Sequence, residues 1–377
     1  MRKFVVPDSQ LNPKVTICVY YYNDRNYLKT CIDSILNQDY KNFELILFNH
    51  SSTDGSYEIA HSYDDERIIH VDAPKNLGAG ASYNNRFVYP FVNGKYFKPF
   101  CADDVMNECC LSSLVEYLEN NPDINLVFGN MEYIDSNGKD LKKDFFKEHK
   151  TLKYSTEIDI LKIFSNFNNK LPYPGALIKT DVMKEIINDN SLTICADMWL
   201  WASAIINGAK VGLCNKIIAN YRRHEYQESF LNNEIMIRRT EYEKSAFLSL
   251  FFSVKNIELT KKIFEDSPYK DKLTSVDDIS FYVAEYYLRK NGYQFAYDKL
   301  FNLLKDESTA KHLEETFGFG VLEFRKLYAF KPLEKNFKKY IYTKRGKNLT
   351  ITELAFLLSY RLIQALGSKL TLKFLRK

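Results

Sequence analysis

The strongest constraint on the fold lies near the start of the chain, where a strand, a helix and a second strand follow one another. Residues 15–21 (VTICVYY) are β-branched and aromatic, and residues 43–48 (FELILF) form a second apolar run. Between them, residues 25–36 repeat apolar side chains at helical spacing. Two strands joined by a helix usually pair in parallel, so the chain is predicted to build an α/β domain on a mostly parallel, doubly wound sheet.

Polar segments follow these strands directly. NHSSTDGS (residues 49–56) comes after the second strand. Residues 68–71 are predicted as a third strand, and residues 95–100 as a fourth that ends at CADD (residues 101–104). Because ligands of such sheets bind outside the carboxyl ends of the strands, we expect these polar groups to line the functional site.

A single aspartate, Asp197, stands among apolar neighbours at the start of a helical pattern that ends at residues 207–208. Burying a carboxylate without a partner is costly. At the mouth of a helix it can accept hydrogen bonds from the first-turn amides and point into a cleft as a general base. The alternative is an N-cap that only starts the helix, and the residues of this stretch leave both interpretations open.

Seven segments in this order resemble the motifs of family 2 glycosyltransferases, which have the GT-A nucleotide-sugar-binding fold. The resemblance covers about residues 14–230, and the segments that carry it are VTICVYYYND, FNHSSTDGS, APKNLGAGASYNN, PFCADDV, YPGALIKTDVMKEI, CADMWLW and YRRHEYQES. It implies an inverting transfer of one sugar, in which Asp197 takes the proton from the acceptor hydroxyl.

The resemblance also implies where the substrates and the metal bind. A divalent cation, Mn²⁺ or Mg²⁺, would be held by Asp103, with His224 either as a second metal ligand or as a contact of the diphosphate, which Arg222 or Arg223 would also help to bind. Acceptor contacts are expected at Trp199, Trp201 and Gly175, and since tryptophans at i and i+2 cannot share a helix face, one of them is expected in the core. The donor or its nucleotide is expected at Tyr20, Tyr22, Asn23, Asn49, His50, Ser52, Asp54, Asn76, Gly78, Asn84 and Asp104.

Several positions depart from the family pattern. Asn49 and His50 replace an acidic pair, Cys101 replaces the first aspartate of the metal motif, Ala196 replaces a glutamate, and Tyr83 replaces an arginine. The aspartates at the metal and base positions remain, so the prediction is an active enzyme with unusual donor specificity.

Two other classes of function share part of this pattern. A nucleotidyltransferase has a similar sheet and metal site, but it requires a glycine-rich loop with Arg or Lys after the first strand. The corresponding segment here, YYNDRNYLKT, has no glycine. A catalytically inactive sugar-binding or scaffold protein is supported only by the missing acidic residues.

The length of 377 residues leaves room for a second domain. We predict a glycosyltransferase domain at residues 1–234 and a helical domain at 235–377, with helices at 234–252, 257–264, 276–289, 293–304 and 351–366. The composition, 45% hydrophobic and 27% charged, is typical of a soluble protein. We expect no signal peptide, no membrane-spanning helix and reduced cysteines, hence a cytoplasmic location.

Charge is concentrated at the end of the chain. Residues 331–377 hold 12 Lys and Arg against 2 Asp and Glu, whereas the whole chain has a net charge of +4. A basic segment with interleaved apolar residues predicts peripheral binding to an anionic membrane surface and a lipid-linked glycan acceptor. The alternative is a helix packed on its neighbours with solvated lysines. No nucleic-acid-binding motif accompanies the segment, so no nucleic-acid partner is expected.

Overall fold

The computed structural model describes residues 14–76, 87–151, 156–186, 192–225, 227 and 234–329. The chain divides into two compact units, Met1–His312 and Leu313–Lys377. Helices that follow residue 234 therefore belong largely to the first unit, and the predicted boundary at 234/235 stays a prediction. Gly78, Asn84, the helix predicted at 351–366 and the basic tail lie outside the described residues.

One mixed sheet forms the centre of the first unit. Its described strands follow the spatial order β3-β2-β1-β4-β8-β6-β9-β5, with β7 paired to β6. They are β1 (Val15–Tyr21), β2 (Phe43–Asn49), β3 (Ile68–Asp72), β4 (Tyr96–Cys101), β5 (Val105–Met106), β6 (Leu126–Ile134), β7 (Asp140–Asp144), β8 (Ala176–Lys179) and β9 (Val211–Arg222).

The first half of the sheet is parallel, as the strand–helix–strand pattern predicts. β1 lies between β2 and β4, and β3 pairs with β2, all in parallel. The register sets Tyr21 beside Asn49, Asn49 beside Asp72, and Tyr20 beside Cys101. The carboxyl ends of these strands therefore meet at one edge.

The second half of the sheet departs from a mostly parallel arrangement. β8 runs antiparallel to both β4 and β6, and β5 runs antiparallel to β9, while β6 and β9 are parallel. β5, which follows β4 in the chain, pairs with the end of β9, where Val105 lies beside Asn220. The last residue of β9, Arg222, pairs with Ile134 at the end of β6.

Helices alternate with the strands along the chain and follow the last strand. In the described residues they are α1 (Leu28–Leu36), α2 (Ser56–Ala60), α3 (Cys110–Asn120), α4 (Phe145–His149), α5 (Glu157–Phe164), α6 (Thr180–Ile186), α7 (Ala196–Ile206), α8 (Glu234–Ser249), α9 (Ile257–Ile263), α10 (Ile279–Asn291), α11 (Gln294–Lys305), α12 (Glu307–Phe317) and α13 (Val321–Ala329). Short 3₁₀ turns occur at Tyr89–Phe91, Tyr173–Gly175, Leu250–Ser253 and Lys270–Lys272. Across the described part of the chain, none of these helices combines the length and apolarity needed to cross a membrane.

The helix α1 illustrates how the pattern of the sequence becomes packing. Leu28, Cys31, Ile32 and Ile35 recur at helical spacing, and all four are buried in the core that the sheet shares with α1. Burying each large apolar side chain contributes about 1.5–3 kcal/mol relative to exposure. This packing fixes the loop before α1 over the carboxyl end of β1.

The helical segment after β9 packs onto the sheet domain through aromatic side chains. Phe247 of α8 meets Phe164 of α5 edge to face, with ring centroids 6.3 Å apart. It also meets Phe251 at 6.1 Å, and Phe251 in turn meets Phe264 at 5.7 Å. Such pairs stabilise by about 0.5–1.5 kcal/mol beyond area burial, and the pair of Phe247 with Phe164 joins the segment to the sheet domain within the first unit.

Candidate active site

Asp197 lies in the first turn of α7, and both of its carboxylate oxygens accept hydrogen bonds. Oδ1 accepts from the backbone N–H of Met198 (2.6 Å), and Oδ2 accepts from the side-chain amide of Asn169 (2.9 Å). Burial raises the pKa of Asp197 to about 6, and the two hydrogen bonds oppose that rise because they favour the charged form. At neutral pH the carboxylate is therefore mostly ionised and is still a stronger base than an ordinary aspartate.

The buried phenol of Tyr173 connects this base with the edge of the sheet. Burial raises the pKa of Tyr173 well above its usual value, and the nearby groups Cys101, Cys18 and Asp197 raise it further. The ring of Tyr173 lies 6.2 Å from that of Trp201 on α7, and Lys98 of β4 donates to the carbonyl of the next residue, Pro174. The turn at Tyr173–Gly175 therefore contacts both β4, which leads into the acidic motif, and α7, which carries Asp197.

Two aspartates and a histidine gather directly after β4. Nε2 of His224 lies 3.0 Å from Oδ2 of Asp103, although the two residues are far apart in the sequence. Potential ligand atoms of Cys101, Asp103 and Asp104 all lie within 4.8 Å of one another. The structure thus places the two predicted metal ligands, Asp103 and His224, in direct contact.

Asp104 and Arg222 fix the backbone around Asp103 through hydrogen bonds. Oδ1 of the buried Asp104 accepts the backbone N–H of Arg222 (2.8 Å), and burial together with the charge of Asp103 raises the pKa of Asp104 well above its usual value. The guanidinium of Arg222 donates to the backbone carbonyls of Asp103 (2.7 Å), Asp135 (3.1 Å) and Ser136 (3.2 Å). With 4% of its surface exposed, Arg222 holds the loop backbone rather than presenting a cation to solvent.

Arg223 points in a different direction. Its guanidinium lies 3.8 Å from the ring centroid of Tyr133 and donates to Glu148 at 3.0 Å. An arginine that is stacked and ion-paired in this way has much of its charge compensated. The assignment of Arg222 and Arg223 to the diphosphate stays a prediction.

The chemistry of this corner fits a divalent cation. The pKa of Asp24 is raised to about 7, chiefly by burial and also by the nearby Asp103 and Asp54, while a hydrogen bond from the Tyr22 N–H and the nearby His224 lower it. Among the described residues, Oδ2 of the buried Asp104 has no hydrogen-bond partner. Crowded carboxylates with an unsatisfied oxygen are the hard ligand environment that Mg²⁺ and Mn²⁺ prefer.

The loops after β1 and β2 are tied together by side-chain hydrogen bonds. The backbone N–H of Asn23 donates to Ser52 (3.1 Å), and its side-chain oxygen accepts from the N–H of Thr53 (2.8 Å). Oδ2 of Asp54 accepts the N–H of Arg25 (3.0 Å). Asn23 adopts φ 59°, a conformation that asparagine tolerates well. Three predicted donor residues, Asn23, Ser52 and Asp54, thus form one scaffold at the edge of the sheet.

The acidic pair missing from the second loop is replaced by an asparagine and a histidine, both of which are buried. Asn49 donates to Asp72 at the end of β3 (3.0 Å) and accepts the N–H of Ser52 (2.9 Å). His50 is buried against Phe48, with ring centroids 5.4 Å apart. Asp72 therefore places a carboxylate beside Asn49. Asn76, another residue of the predicted donor set, lies four residues further along the chain and is exposed.

Two tyrosines of the donor set differ in exposure. Tyr20 is partly buried against Phe48, with ring centroids 5.8 Å apart, whereas Tyr22 is 46% exposed. Of the two rings, that of Tyr22 is the more available for stacking on a planar ligand.

The two tryptophans of α7 have separate environments. Trp201 is fully buried and meets Phe128 edge to face at 5.2 Å, which is a core position and not an acceptor contact. Trp199 is only partly buried. Gly175 is buried as well, and an added Cβ would lie 2.7 Å from Pro172 Cγ and 2.8 Å from the Gly129 carbonyl. Gly175 is therefore needed for close packing.

The arrangement of strands and helices is that of the GT-A glycosyltransferases. The structure of TarS from S. aureus, residues 1–349 in complex with UDP-GlcNAc, superposes with a TM-score of 0.54 at 15% identity. The match covers 86% of this chain and 92% of that one. At this identity the likeness establishes the fold.

The sequence comparisons identify the family. Residues 16–181 match the family described as Glycosyl transferase family 2. An uncharacterized glycosyltransferase of Methanocaldococcus jannaschii is 28% identical over 68% of this chain and 83% of its own length. One of Rickettsia typhi is 28% identical over 62% of this chain and 70% of its own length. Residues 16–181 thus form a family 2 glycosyltransferase domain.

Sequence reasoning missed three polar residues of this site: Asn169, Asp24 and Asp72. Asn169 lies between elements, without a recognisable motif around it. Asp24 adjoins the Tyr-Asn pair of the first loop and Asp72 ends a predicted strand, so their positions at the carboxyl edge are the signal that was available.

Proposed function

We propose that this glycosyltransferase moves a single sugar from a nucleotide-sugar donor to a hydroxyl group of a glycan or lipid-linked glycan, with inversion. The observation that carries the proposal is the environment of Asp197. Its carboxylate is fixed by Asn169 and Met198, and its pKa of about 6 suits proton abstraction near neutral pH.

In the proposed reaction, Asp197 accepts the proton of the acceptor hydroxyl while the oxygen attacks the anomeric carbon. The bond from that carbon to the diphosphate oxygen breaks, and its electron pair leaves with the nucleoside diphosphate. Because one base acts and attack is in line, the configuration inverts. The same single-displacement geometry operates in inverting glycosidases.

Charge that develops on the diphosphate needs compensation. Asp103 and His224 would hold a Mn²⁺ or Mg²⁺ ion, which when bound acts as a Lewis acid toward the phosphate oxygens. Asp104 and Arg222 support this corner by fixing the backbone of residues 103 and 222 to each other. Arg223 would approach the diphosphate only if its pairing with Glu148 loosened.

The donor set proposed for the nucleotide comprises the scaffold of Asn23, Ser52 and Asp54, together with the exposed ring of Tyr22. Asn49 and His50 in place of two acids, with Asp72 hydrogen-bonded to Asn49, support a donor preference that differs from that of relatives with two acids there. TarS was crystallised with UDP-GlcNAc, so uridine diphosphate sugars are the first donors to test.

For the acceptor we propose contact with Trp199, whose partly buried ring offers a surface on which sugar rings stack. The physiological role we propose is synthesis of a bacterial surface polysaccharide such as capsule or lipooligosaccharide, carried out in the cytoplasm. Residues 331–377 would hold the enzyme on the inner face of the cytoplasmic membrane. Co-sedimentation of the full chain with anionic but not neutral vesicles, lost in high salt, is the expected result.

The decisive experiment compares Asp197→Asn with a matched control. Asp181 also begins a helix and accepts the N–H of its successor, Val182, at 2.8 Å, but it is exposed. With a panel of nucleotide sugars and Mn²⁺, we expect Asp197→Asn to lower kcat by about 10²–10⁴ with donor affinity retained. Asp181→Asn should behave as wild type. Transfer by Asp197→Asn above about a tenth of the wild-type rate would place the base elsewhere.

A further inference from the structure

The start of α7 is held by a residue from another part of the chain. Within the described structure, the residue before this helix, Cys195, makes no capping hydrogen bond through its side chain. Instead, the carboxylate of Glu243 on α8 accepts the backbone N–H groups of Thr193 (2.9 Å), Ile194 (2.6 Å) and Cys195 (3.1 Å). It also accepts the hydroxyl of Thr193 at 2.5 Å.

This contact lies directly beside the proposed base. Asp197 follows Cys195 by two residues, and its Oδ1 is bound to the next amide, that of Met198. The amides that Glu243 holds belong to the residues that enter the helix, so their release frees the segment leading into the first turn, in which Asp197 lies. The orientation of Asp197 therefore depends on how firmly residues 193–195 are held.

We propose that Glu243 is a positioning residue for sugar transfer, which fixes the segment 193–195 and thereby the direction of the Asp197 carboxylate. The inference rests on the proposed function of Asp197. It extends that function to the helical segment after β9, in which no motif indicates a catalytic contribution.

The chemistry at this contact requires a carboxylate of this length. An ionised carboxylate is purely an acceptor, with lone pairs for three amides and one hydroxyl. A glutamine of the same shape has a single acceptor oxygen, and its NH₂ group would face amide donors. Shortening the side chain to aspartate withdraws the carboxylate by one methylene, so Glu243→Asp should restore the charge but only part of the contact.

The test uses Glu243→Gln, Glu243→Ala and Glu243→Asp, with Glu241→Gln as the control. Glu241 lies on the same helix and its side chain is exposed. Three quantities are measured: kcat and the donor KM, the pH dependence of kcat, and hydrogen exchange of the amides of residues 193–195. Hydrogen exchange does not depend on any donor or acceptor being known.

We expect Glu243→Gln to lower kcat by about tenfold or more while the donor KM changes little, because a small displacement of a catalytic group can cost about 10² in rate. In this variant the acid limb of the pH profile of kcat should move to higher pH, because a displaced Asp197 loses hydrogen bonds to its charged form and its pKa rises. The three amides should exchange about fivefold faster, as for a lost helix cap. Glu243→Asp should recover part of kcat, and Glu241→Gln should match wild type.

A kcat within twofold of wild type in both Glu243→Gln and Glu243→Ala would overturn the proposal and leave Glu243 as a structural cap. A fall in kcat without a change in the acid limb or in amide exchange would overturn it as well. The proposed function of Asp197 is tested separately: if Asp197→Asn still transfers sugar, that function is wrong whatever the Glu243 variants show.

Discussion

The side-chain amide of Asn169 donates a 2.9 Å hydrogen bond to Oδ2 of Asp197, across 28 residues of sequence. Oδ1 of the same Asn169 residue accepts the N–H of Leu171 (2.9 Å), so the asparagine is itself held in one orientation. A fixed donor of this kind stabilises the charged carboxylate and sets its direction.

Replacing Asn169 should shift the pH dependence of transfer. Burial raises the pKa of Asp197 to about 6, and the Asn169 hydrogen bond opposes that rise. In Asn169→Ala the pKa should therefore increase, by about one pH unit for a hydrogen bond to a charged group. Because the base acts when deprotonated, the acid limb of kcat/KM should move to higher pH, with the largest loss below pH 7.

The control is Asn166→Ala, which removes an exposed asparagine that donates to the Lys162 carbonyl at 2.8 Å. Its pH profile should coincide with that of wild type. A uniform loss of rate across pH in Asn169→Ala would mean that Asn169 positions Asp197 without affecting its ionisation.

Transfer is expected to require a divalent cation held by Asp103. Replacing this carboxylate by an amide in Asp103→Asn weakens a hard oxygen ligand, so the Mn²⁺ concentration for half-maximal rate should rise about tenfold or more. The measurement is a Mn²⁺ and Mg²⁺ titration of initial rates, with Asp123→Asn as the control at an exposed position. Full activity of the wild-type enzyme in excess chelator would contradict the prediction.

Asp24 should make the fold less stable at high pH. Its folded-state pKa of about 7 lies above the unfolded value of 3.8, so its stabilising effect is complete below about pH 4. That contribution is lost as the pH rises through 7, because the carboxylate then ionises in a buried, acidic setting. Asp24→Asn should therefore raise Tm in chelator by about 2–4 °C at pH 8 and change it little at pH 4.

Thermal unfolding at both pH values checks this, with Asp64→Asn as the exposed control. An equal change of Tm at pH 4 and pH 8 would show that the charge of Asp24 is not responsible.

Replacing Trp201 should lower stability, whereas replacing Trp199 should weaken acceptor binding. Trp201→Ala leaves a cavity beside Phe128 and should cost about 3–5 kcal/mol of stability, with a clear fall in Tm. Trp199→Ala should instead raise the acceptor KM, by roughly 3–10-fold for a lost stacking contact, with donor hydrolysis unchanged. Steady-state kinetics and thermal unfolding of both variants separate the outcomes. An unchanged acceptor KM in Trp199→Ala would remove it from the acceptor site.

The elements that repeat a simple pattern were predictable. β1 occupies Val15–Tyr21 as predicted, and β2, β3 and β4 lie within one residue of their predicted bounds at each end. The start of α1 at Leu28 rather than residue 25 reflects Asp24 and Arg25, whose backbone and side chains are engaged in the loop network instead. Periodicity reports which face of an element is buried, but local hydrogen bonding decides where the element begins.

The antiparallel half of the sheet was not predictable in the same way. β8 has only four residues, Ala176–Lys179, and it pairs with both β4 and β6, whose residues lie far from it in the sequence. A short apolar run of this length carries no signal for its direction.

What the sequence alone determined is the resemblance to family 2 glycosyltransferases, the α/β fold and the order of polar segments along one edge, because strand periodicity and motif order are local properties of the chain. Only the tertiary structure decided that Arg222 braces carbonyl groups, that Trp201 is in the core, and that Glu243 and Asn169 surround the segment carrying Asp197. These contacts join positions far apart in the chain. Their geometry depends on how helices and loops pack, which no local pattern records.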